Sequence, residues 1–238
     1  MMRPKPMTAV LDIPVMEHII KLLKEHGINE IAVTLHYLPG EITEYFGDGS
    51  DFGLKELRYF RENEPLGTAG SVGQCREFLD EEFVVISGDA LTDINISKMA
   101  GFHRENGALA TIAVKRVKKP NEYGIVMTDE SSRITGFIEK PDWSEACCDA
   151  ANTGIYIFSP EIFDYIEEDI KCDFAQDIFP KVMERCKERF FAWETDSYWC
   201  DIGSCRDYLK ANIDAAAGRC GNSQKCKIGE TSIGLSSV

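Results

Sequence analysis

The chain has 238 residues, 44% of them hydrophobic, which is enough for the core of one large α/β domain. Its formal net charge of −14 repels a nucleic-acid backbone unless a basic patch offsets it, and Lys118-Lys119 is only a short basic pair. No apolar run approaches the roughly 20 residues that span a bilayer and no secretory leader is visible, so neither nucleic acid nor membrane is an expected partner.

Met1–Met7 reads MMRPKPM, and Ala9-Val10-Leu11 is a brief apolar run. An amphipathic helix is predicted from Pro14 to His26, with Asp12 as a candidate cap and Val15, Ile19, Leu22 and Leu23 at helical spacing; Gly27 ends it. Ile31–Leu35 (IAVTL) is a short buried strand. A helix feeding a strand is the second half of a βαβ unit, and the first strand of that unit is not found ahead of it. Pro39–Phe46 reads as a second helix and Leu57–Phe60 as a strand. Glu64–Val72 (EPLGTAGSV) is a small-residue loop running into a helix that ends near Phe78-Leu79. Phe83–Ile86 (FVVI) is a continuous apolar run that suits a strand buried on both faces of a parallel sheet. To this point the alternation argues for a parallel, doubly wound sheet.

The second half changes character. Helices are predicted over Ser97–Asn106, Pro160–Ile166, Phe174–Glu188 and 204–217. Strands are predicted over Leu109–Val117, Gly124–Met127, Arg133–Ile138, Ile155–Phe158 and Phe190–Trp193, with Tyr198–Gly203 as a loop. Strict alternation is lost, so antiparallel strands are expected to join the sheet. After Gly218 the chain turns polar, and Ile228-Gly229…Ile233-Gly234 is one faint rung of a hexapeptide β-helix. Nine cysteines without a CxxC pair fit reduced thiols and a cytoplasmic setting rather than a disulfide framework or a zinc site. His18, His26, His36 and His103 show no ligand spacing and read as surface or loop residues.

Several stretches hold chemistry-bearing residues. Asp89 follows Gly88 at the end of the FVVI strand, where open α/β sheets bind ligands; it either holds a cation that neutralises a phosphate or opens a turn. Gly67, Thr68, Ala69 and Gly70 either admit a planar ligand edge or form a tight entry into the helix. Gly124, after Glu122-Tyr123, leaves room for a sugar ring. Glu139 and Lys140 form a charge pair, and Pro141 is expected to hold Lys140 extended. Asn152 precedes a strand and offers hydrogen bonds to hydroxyls. Asp201, beside Gly203, is a second lone carboxylate.

The stretches KP, EPLGTAG, SGDALTD, EYG, EKP, NTGIY and WCDIG, in this order over about residues 3 to 217, resemble the sugar-phosphate nucleotidyltransferase family. PVMEHII and FGDGSDFG are most similar to its mannose-1-phosphate guanylyltransferase branch. The resemblance implies a Rossmann-like α/β fold, with a mixed, mostly parallel sheet and helices on both faces. It implies a reaction joining a sugar 1-phosphate to a nucleoside triphosphate with release of pyrophosphate. Mannose 1-phosphate with GTP is the first expectation and glucose 1-phosphate with another triphosphate the second. By the same resemblance Asp89 and Asp201 would hold Mg²⁺, and Lys5 and Lys140 would approach the phosphates. Gly67 and Thr68 would lie against the base, and Gly124, Glu139 and Asn152 would face the sugar. A phosphate monoester has a second pKa of about 6, so the attacking oxygen is already anionic and no general base is required.

One departure stands out. The family opens with a strand and a Gly-x-Gly-Thr-Arg loop that cradles the triphosphate, whereas no glycine precedes Gly27 here. The expectation is a domain over 1–217 whose first strand, between IAVTL and FVVI, is missing, followed by a polar tail over 218–238. That tail would be the start of a β-helix or a linker. A catalytically silent relative that binds nucleotide sugar or sugar phosphate, and a homo-oligomer, stay open.

Overall fold

The computed structural model describes residues 4–142 and 148–221. In chain order the elements are β1 (Ala9–Val10), β2 (Ile13–Pro14), α1 (Val15–Glu25), β3 (Glu30–Leu35), α2 (Pro39–Phe46), β4 (Glu56–Arg61), α3 (Gly67–Gly73), β5 (Phe83–Ile86) and β6 (Ala90–Thr92). There follow α4 (Ile96–Glu105), β7 (Ala110–Arg116), β8 (Ile125–Thr128), β9 (Ile134–Ile138), β10 (Ala150–Phe158), α5 (Phe179–Arg185), β11 (Phe190–Glu194), β12 (Trp199–Asp201) and α6 (Cys205–Ala216).

The main sheet runs β11-β7-β10-β8-β9, with β5 also on β10. β10 is its hub. Its second half, Ile155–Phe158, pairs with both β5 and β7, and its first half pairs with β7 and, at Ala151, with β8. Alternation along β10 splits the core into two layers. Tyr156 and Phe158 face Phe174, Ile178, Phe179 and Val182, from α5 and the turn before it. Ile155 and Ile157 face the opposite layer, built from α1, α4 and α6 through Leu22, Met99 and Ala211. Helical segments therefore cover both faces, and each face must be apolar to be covered.

The sheet is more antiparallel than "mostly parallel" implies. Among the described strands only β3–β4 and β7–β11 pair in parallel; six pairings are antiparallel. β3 and β4 form their own two-stranded sheet. β5 has a partner on one side alone, β10, and Val84, Val85 and Ile86 are half-buried rather than enclosed on both faces. On the side away from β10, Val84, Val85 and Ile86 line a cleft shared with β3.

Other expectations are revised by local geometry. β1 and β2 close a small hairpin through Leu11 and Asp12 at φ of 51° and 65°, so Asp12 shapes a turn and Pro14, not Asp12, stands at the start of α1. Residues 160–165 form a 3-10 turn, and the segment after Asp173 divides into a π-helical turn (Phe174–Ile178) and α5. Trp199–Asp201 is not loop but β12, paired with β6. His18 and His103 are buried, not superficial: His18 Nε2 lies 3.0 Å from the Val10 carbonyl, and burial lowers its pKa. Cys75, Cys148, Cys172, Cys186, Cys200, Cys205 and Cys220 are free thiols. No helix among the described residues is long and apolar enough to cross a membrane. The β-helix rung at 228–234 and most of the polar tail lie outside the described residues.

Candidate active site

The end of β5 and the β6–β12 pair build one carboxylate pair. Asp89 sits in the turn between β5 and β6, where Ser87 Oγ donates to its Oδ1 at 2.6 Å. In the β6–β12 ladder Asp201 stands opposite Ala90, and Ile202 N–H donates to the Asp89 carbonyl at 3.2 Å. The two carboxylates thus occupy adjoining positions of one ladder end. Although Asp201 is exposed, its surroundings desolvate it and the Asp89 carboxylate repels its charge, so its pKa is raised. Lys5 and Lys140 act in the opposite direction on the same group. Asp89, Asp201, Lys5 and Lys140 therefore converge, as residues far apart in the chain.

Lys5 Nζ is 3.9 Å from Asp89 Oδ2, with the lysine side chain 64% exposed. A pair that long and that exposed contributes at most about 1 kcal/mol to stability. Its charge is better regarded as available to a second anion. Asp93 is structural: its Oδ1 accepts from Tyr198 N–H and its Oδ2 from Gly221 N–H, each at 2.7 Å.

The residues expected on the sugar side also meet. Asn152 N–H donates to the Gly124 carbonyl at 2.8 Å. A β-carbon added at Gly124 would lie 2.7 Å from both Glu139 Oε2 and Phe137 Cζ, so a larger residue would have to displace these side-chain ends. Asn152 is paired with Val114, and the β10–β7 register shifts just after it, before Tyr156, where Gly154 takes φ 74°. Asn152 Oδ1 accepts from Gly154 N–H and its Nδ2 donates to Tyr156 Oη, which leaves an amide hydrogen for a ligand. The Tyr123 and Trp199 rings, 5.2 Å apart, tie this turn to β12 and so to the carboxylate pair. Lys140 is not extended: its φ is 44° and its N–H donates to the Tyr123 carbonyl at 3.2 Å. A local rule about Pro141 anticipates neither the angle nor this hydrogen bond.

Gly67 and Thr68 lie at the start of α3, and the tight-entry reading describes their contacts. Gly67 has φ 74°, and a β-carbon there would stand 2.5 Å from the Cys172 carbonyl oxygen. Ala69 and Gly70 N–H both donate to that oxygen, and Cys172 N–H donates to the Leu66 carbonyl. The small residues admit the backbone of the 170–174 segment. Thr68 Oγ1 donates to Asp173 Oδ2 at 2.8 Å and accepts from Phe174 N–H at 3.0 Å.

Two residues of the site were not singled out from sequence. Asp173 opposes the charge of Glu139, whose pKa is raised by burial first, with Lys140 acting against the rise. Tyr156, buried, presents its hydroxyl to Asn152 and has its pKa raised, mainly by burial. Asp173 carried a signal, an aspartate ahead of an apolar helical run, and it does cap that run by accepting from Ala175 N–H. Tyr156 carried none beyond its place in a strand.

Among the described residues no group of three or more His, Cys, Asp or Glu is arranged to hold a metal by itself. Two adjoining carboxylates suit Mg²⁺, which takes hard oxygen donors and commonly binds one or two carboxylates plus substrate phosphates. The mutual repulsion of Asp89 and Asp201 is what a divalent cation would relieve.

A family model described as nucleotidyl transferase matches residues 1–218. The chain belongs to that family. It is 41% identical over 221 residues to a UTP–glucose-1-phosphate uridylyltransferase of Synechocystis sp., covering 87% of this chain and 57% of the relative. It is 30% identical over 216 residues to a mannose-1-phosphate guanylyltransferase of Mycobacterium tuberculosis, covering 90% and 59%. The chain thus spans a little over half the length of these relatives. A crystal structure of a putative glucose-1-phosphate thymidylyltransferase from Bacillus anthracis superposes with a TM-score of 0.78, at 24% identity, over 88% of this chain and 85% of that one. That likeness establishes the Rossmann-like α/β fold.

Proposed function

We propose that the chain carries the sugar and metal side of a sugar-1-phosphate nucleotidyltransferase, with glucose 1-phosphate and UTP as the preferred pair. The observation that carries this reading is the convergence of Asp89, Asp201, Lys5 and Lys140 at one end of the β6–β12 ladder. The 41% identity to a uridylyltransferase favours glucose and UTP over mannose and GTP, the pair expected from PVMEHII.

The reaction joins two polyanions. A sugar phosphate oxygen attacks the α-phosphorus in line, and pyrophosphate leaves with the electron pair of the broken bond. Asp89 and Asp201 would hold Mg²⁺, which when bound supplies positive charge against the phosphate oxygens. Lys140 would hold the sugar phosphate, and Lys5, loosely paired, would turn from Asp89 to the triphosphate. Asn152 and Glu139 would orient the sugar hydroxyls against the floor made by Gly124. Catalysis of this kind is positioning plus charge, with no proton to remove. The thiols and nucleotide substrates suit a cytoplasmic enzyme.

The test is pyrophosphate release by the chain with UTP and glucose 1-phosphate, and with GTP and mannose 1-phosphate, with and without Mg²⁺. The expected result is Mg²⁺-dependent release, faster with UTP and glucose 1-phosphate and lost in D201N. Release that is unchanged in D201N overturns the site, and faster release with GTP and mannose 1-phosphate overturns the choice of pair.

A further inference from the structure

We propose that Tyr198 is a positioning residue of the carboxylate pair: it fixes the register of β12 on β6, and so the place of Asp201 beside Asp89, and it is itself anchored by Asp214 of α6. The proposal rests on the assignment of Asp89 and Asp201 to a metal ion.

β12 is weak as a strand. It has three residues, pairs with β6 alone among the described strands, and carries Asp201 at its last position, opposite Ala90. An isolated two-stranded pair is marginal in water, so the ladder does not hold Asp201 by itself. A slip of one residue would move Asp201 by about 3.3 Å and turn its side chain to the opposite face, away from Asp89. Mg²⁺ tolerates little such error, since it demands near-octahedral oxygens at about 2.0–2.1 Å.

Tyr198 stands just ahead of β12 and is held at its N–H, its carbonyl and its hydroxyl. The N–H donates to Asp93 Oδ1 at 2.7 Å. The carbonyl accepts from Thr92 Oγ1 at 2.7 Å and from Asp93 N–H at 3.3 Å. Thr92 ends β6 opposite Trp199, so these bonds extend the pairing by one residue and specify its register. The hydroxyl donates to Asp214 Oδ2 at 3.1 Å. The Asp214 side chain is only 6% exposed, and a carboxylate so placed needs partners. Lys210 Nζ and Arg219 Nη1 each donate to one of its oxygens at 2.6 Å. Lys210 Nζ also stands 5.3 Å from the centroid of the Tyr198 ring. Two cations thus fix the carboxylate, and the carboxylate fixes the tyrosine. At the other end of β12, Ile202 N–H donates to the Asp89 carbonyl at 3.2 Å, so the strand is pinned on both sides of Asp201. Through Tyr198, α6 sets where Asp201 stands.

The test uses the full chain with Y198F, which removes one hydroxyl and keeps the ring and the backbone bonds, and with V182A, which loosens the opposite core layer and leaves Tyr198 alone. Each is also combined with D201N. Y198F should weaken Mg²⁺ binding in calorimetry by about twofold to tenfold, the range that one hydrogen bond spans. Without metal it should speed amide exchange of the Ile202 N–H that donates to Asp89. V182A should lower the Tm and leave Mg²⁺ affinity unchanged. Added to D201N, Y198F should still speed that exchange but weaken Mg²⁺ binding no further, because the group it positions is gone. Unchanged exchange or unchanged Mg²⁺ affinity in Y198F overturns the proposal, as does equal weakening by V182A or a further loss of Mg²⁺ binding when Y198F is added to D201N. Mg²⁺ affinity unchanged in D201N overturns the metal assignment and the proposal together, whereas a loss in D201N with none in Y198F overturns the positioning role alone.

Discussion

His103 is expected to make the fold acid-sensitive by an amount that its surroundings set. It is 1% exposed on α4, with Nδ1 2.8 Å from Thr111 Oγ1 and Nε2 3.1 Å from Ser159 Oγ. Ser159 Oγ donates to the Ala108 carbonyl, so it accepts from Nε2–H, and Nδ1 is left to accept from the Thr111 hydroxyl. A second ring proton has no acceptor without displacing Thr111, which is itself fully buried. Burial pushes the pKa down from 6.5 to about 4; Arg104 and Arg189 add to this and Glu161 opposes it. Between these values the unfolded chain binds more protons than the folded one, so stability falls as pH falls and the loss is complete near pH 4. At about 1.36 kcal/mol per pH unit the full loss is about 3 kcal/mol, of which about 2.5 kcal/mol is gone by pH 4.5. For a chain of this size that corresponds to roughly 5–10 °C in Tm. Urea unfolding of the chain and of H103Q at pH 7 and 4.5 isolates the residue, since other titrating groups are common to both. The stability difference between the two should move by about 2.5 kcal/mol in favour of H103Q at the lower pH. A difference that stays constant between pH 7 and 4.5 refutes the reasoning.

Three further outcomes are expected at the site. G124A places a methyl group 2.7 Å from Glu139 Oε2 and Phe137 Cζ, so it should raise KM for the sugar phosphate and cost about 1–3 kcal/mol in unfolding experiments. T68V removes the hydroxyl that joins Asp173 to Phe174 N–H, and should cost about 1 kcal/mol and raise KM for the nucleotide more than for the sugar phosphate in steady-state assays. Because burial and the Asp89 charge raise the pKa of Asp201 from its ordinary value, its charge is lost earlier than usual as pH falls, and with it Mg²⁺ affinity. Calorimetric Mg²⁺ titrations should show that dependence in the chain and not in D201N.

Legibility in the sequence followed the range of the interaction. The β5 run, the face of α1 and the antiparallel second half depend on local periodicity, and they are present in the structure. The grouping of Asp89 with Asp201, and of Gly124 with Glu139 and Asn152, was anticipated only through joint motifs, since no periodicity links residues so distant. Where distant contacts surround a residue, local rules fail. Lys140 combines φ 44° with a hydrogen bond from its N–H to Tyr123, and His103 is buried where Thr111 and Ser159 meet it from β7 and the end of β10. The half-burial of Val84–Ile86 is a failure of another kind: an apolar run reports what a strand can bury, and among the described strands β5 pairs with β10 alone.

Asp173 gives the site a coupling that neither motif shows alone. Its carboxylate accepts from Thr68 at the start of α3 and its charge bears on Glu139 at the end of β9. The backbone of Ile170 and Cys172 fills the space left by Gly67 and Gly70, so the glycines of EPLGTAG serve first to bring the adjoining Asp173 into place. A base lying against α3 and a sugar lying against Glu139 would then share one anchoring carboxylate, and each would favour the arrangement that the other requires. Movement of the 170–174 segment would disturb both sides together. T68V is therefore the sharper probe than a substitution of Asp173, because it leaves the charge near Glu139 in place while cutting the bond to α3. A rise in the nucleotide KM with the pKa of Glu139 unchanged would locate the coupling in the hydrogen bond, and a change in both would locate it in the position of the whole segment.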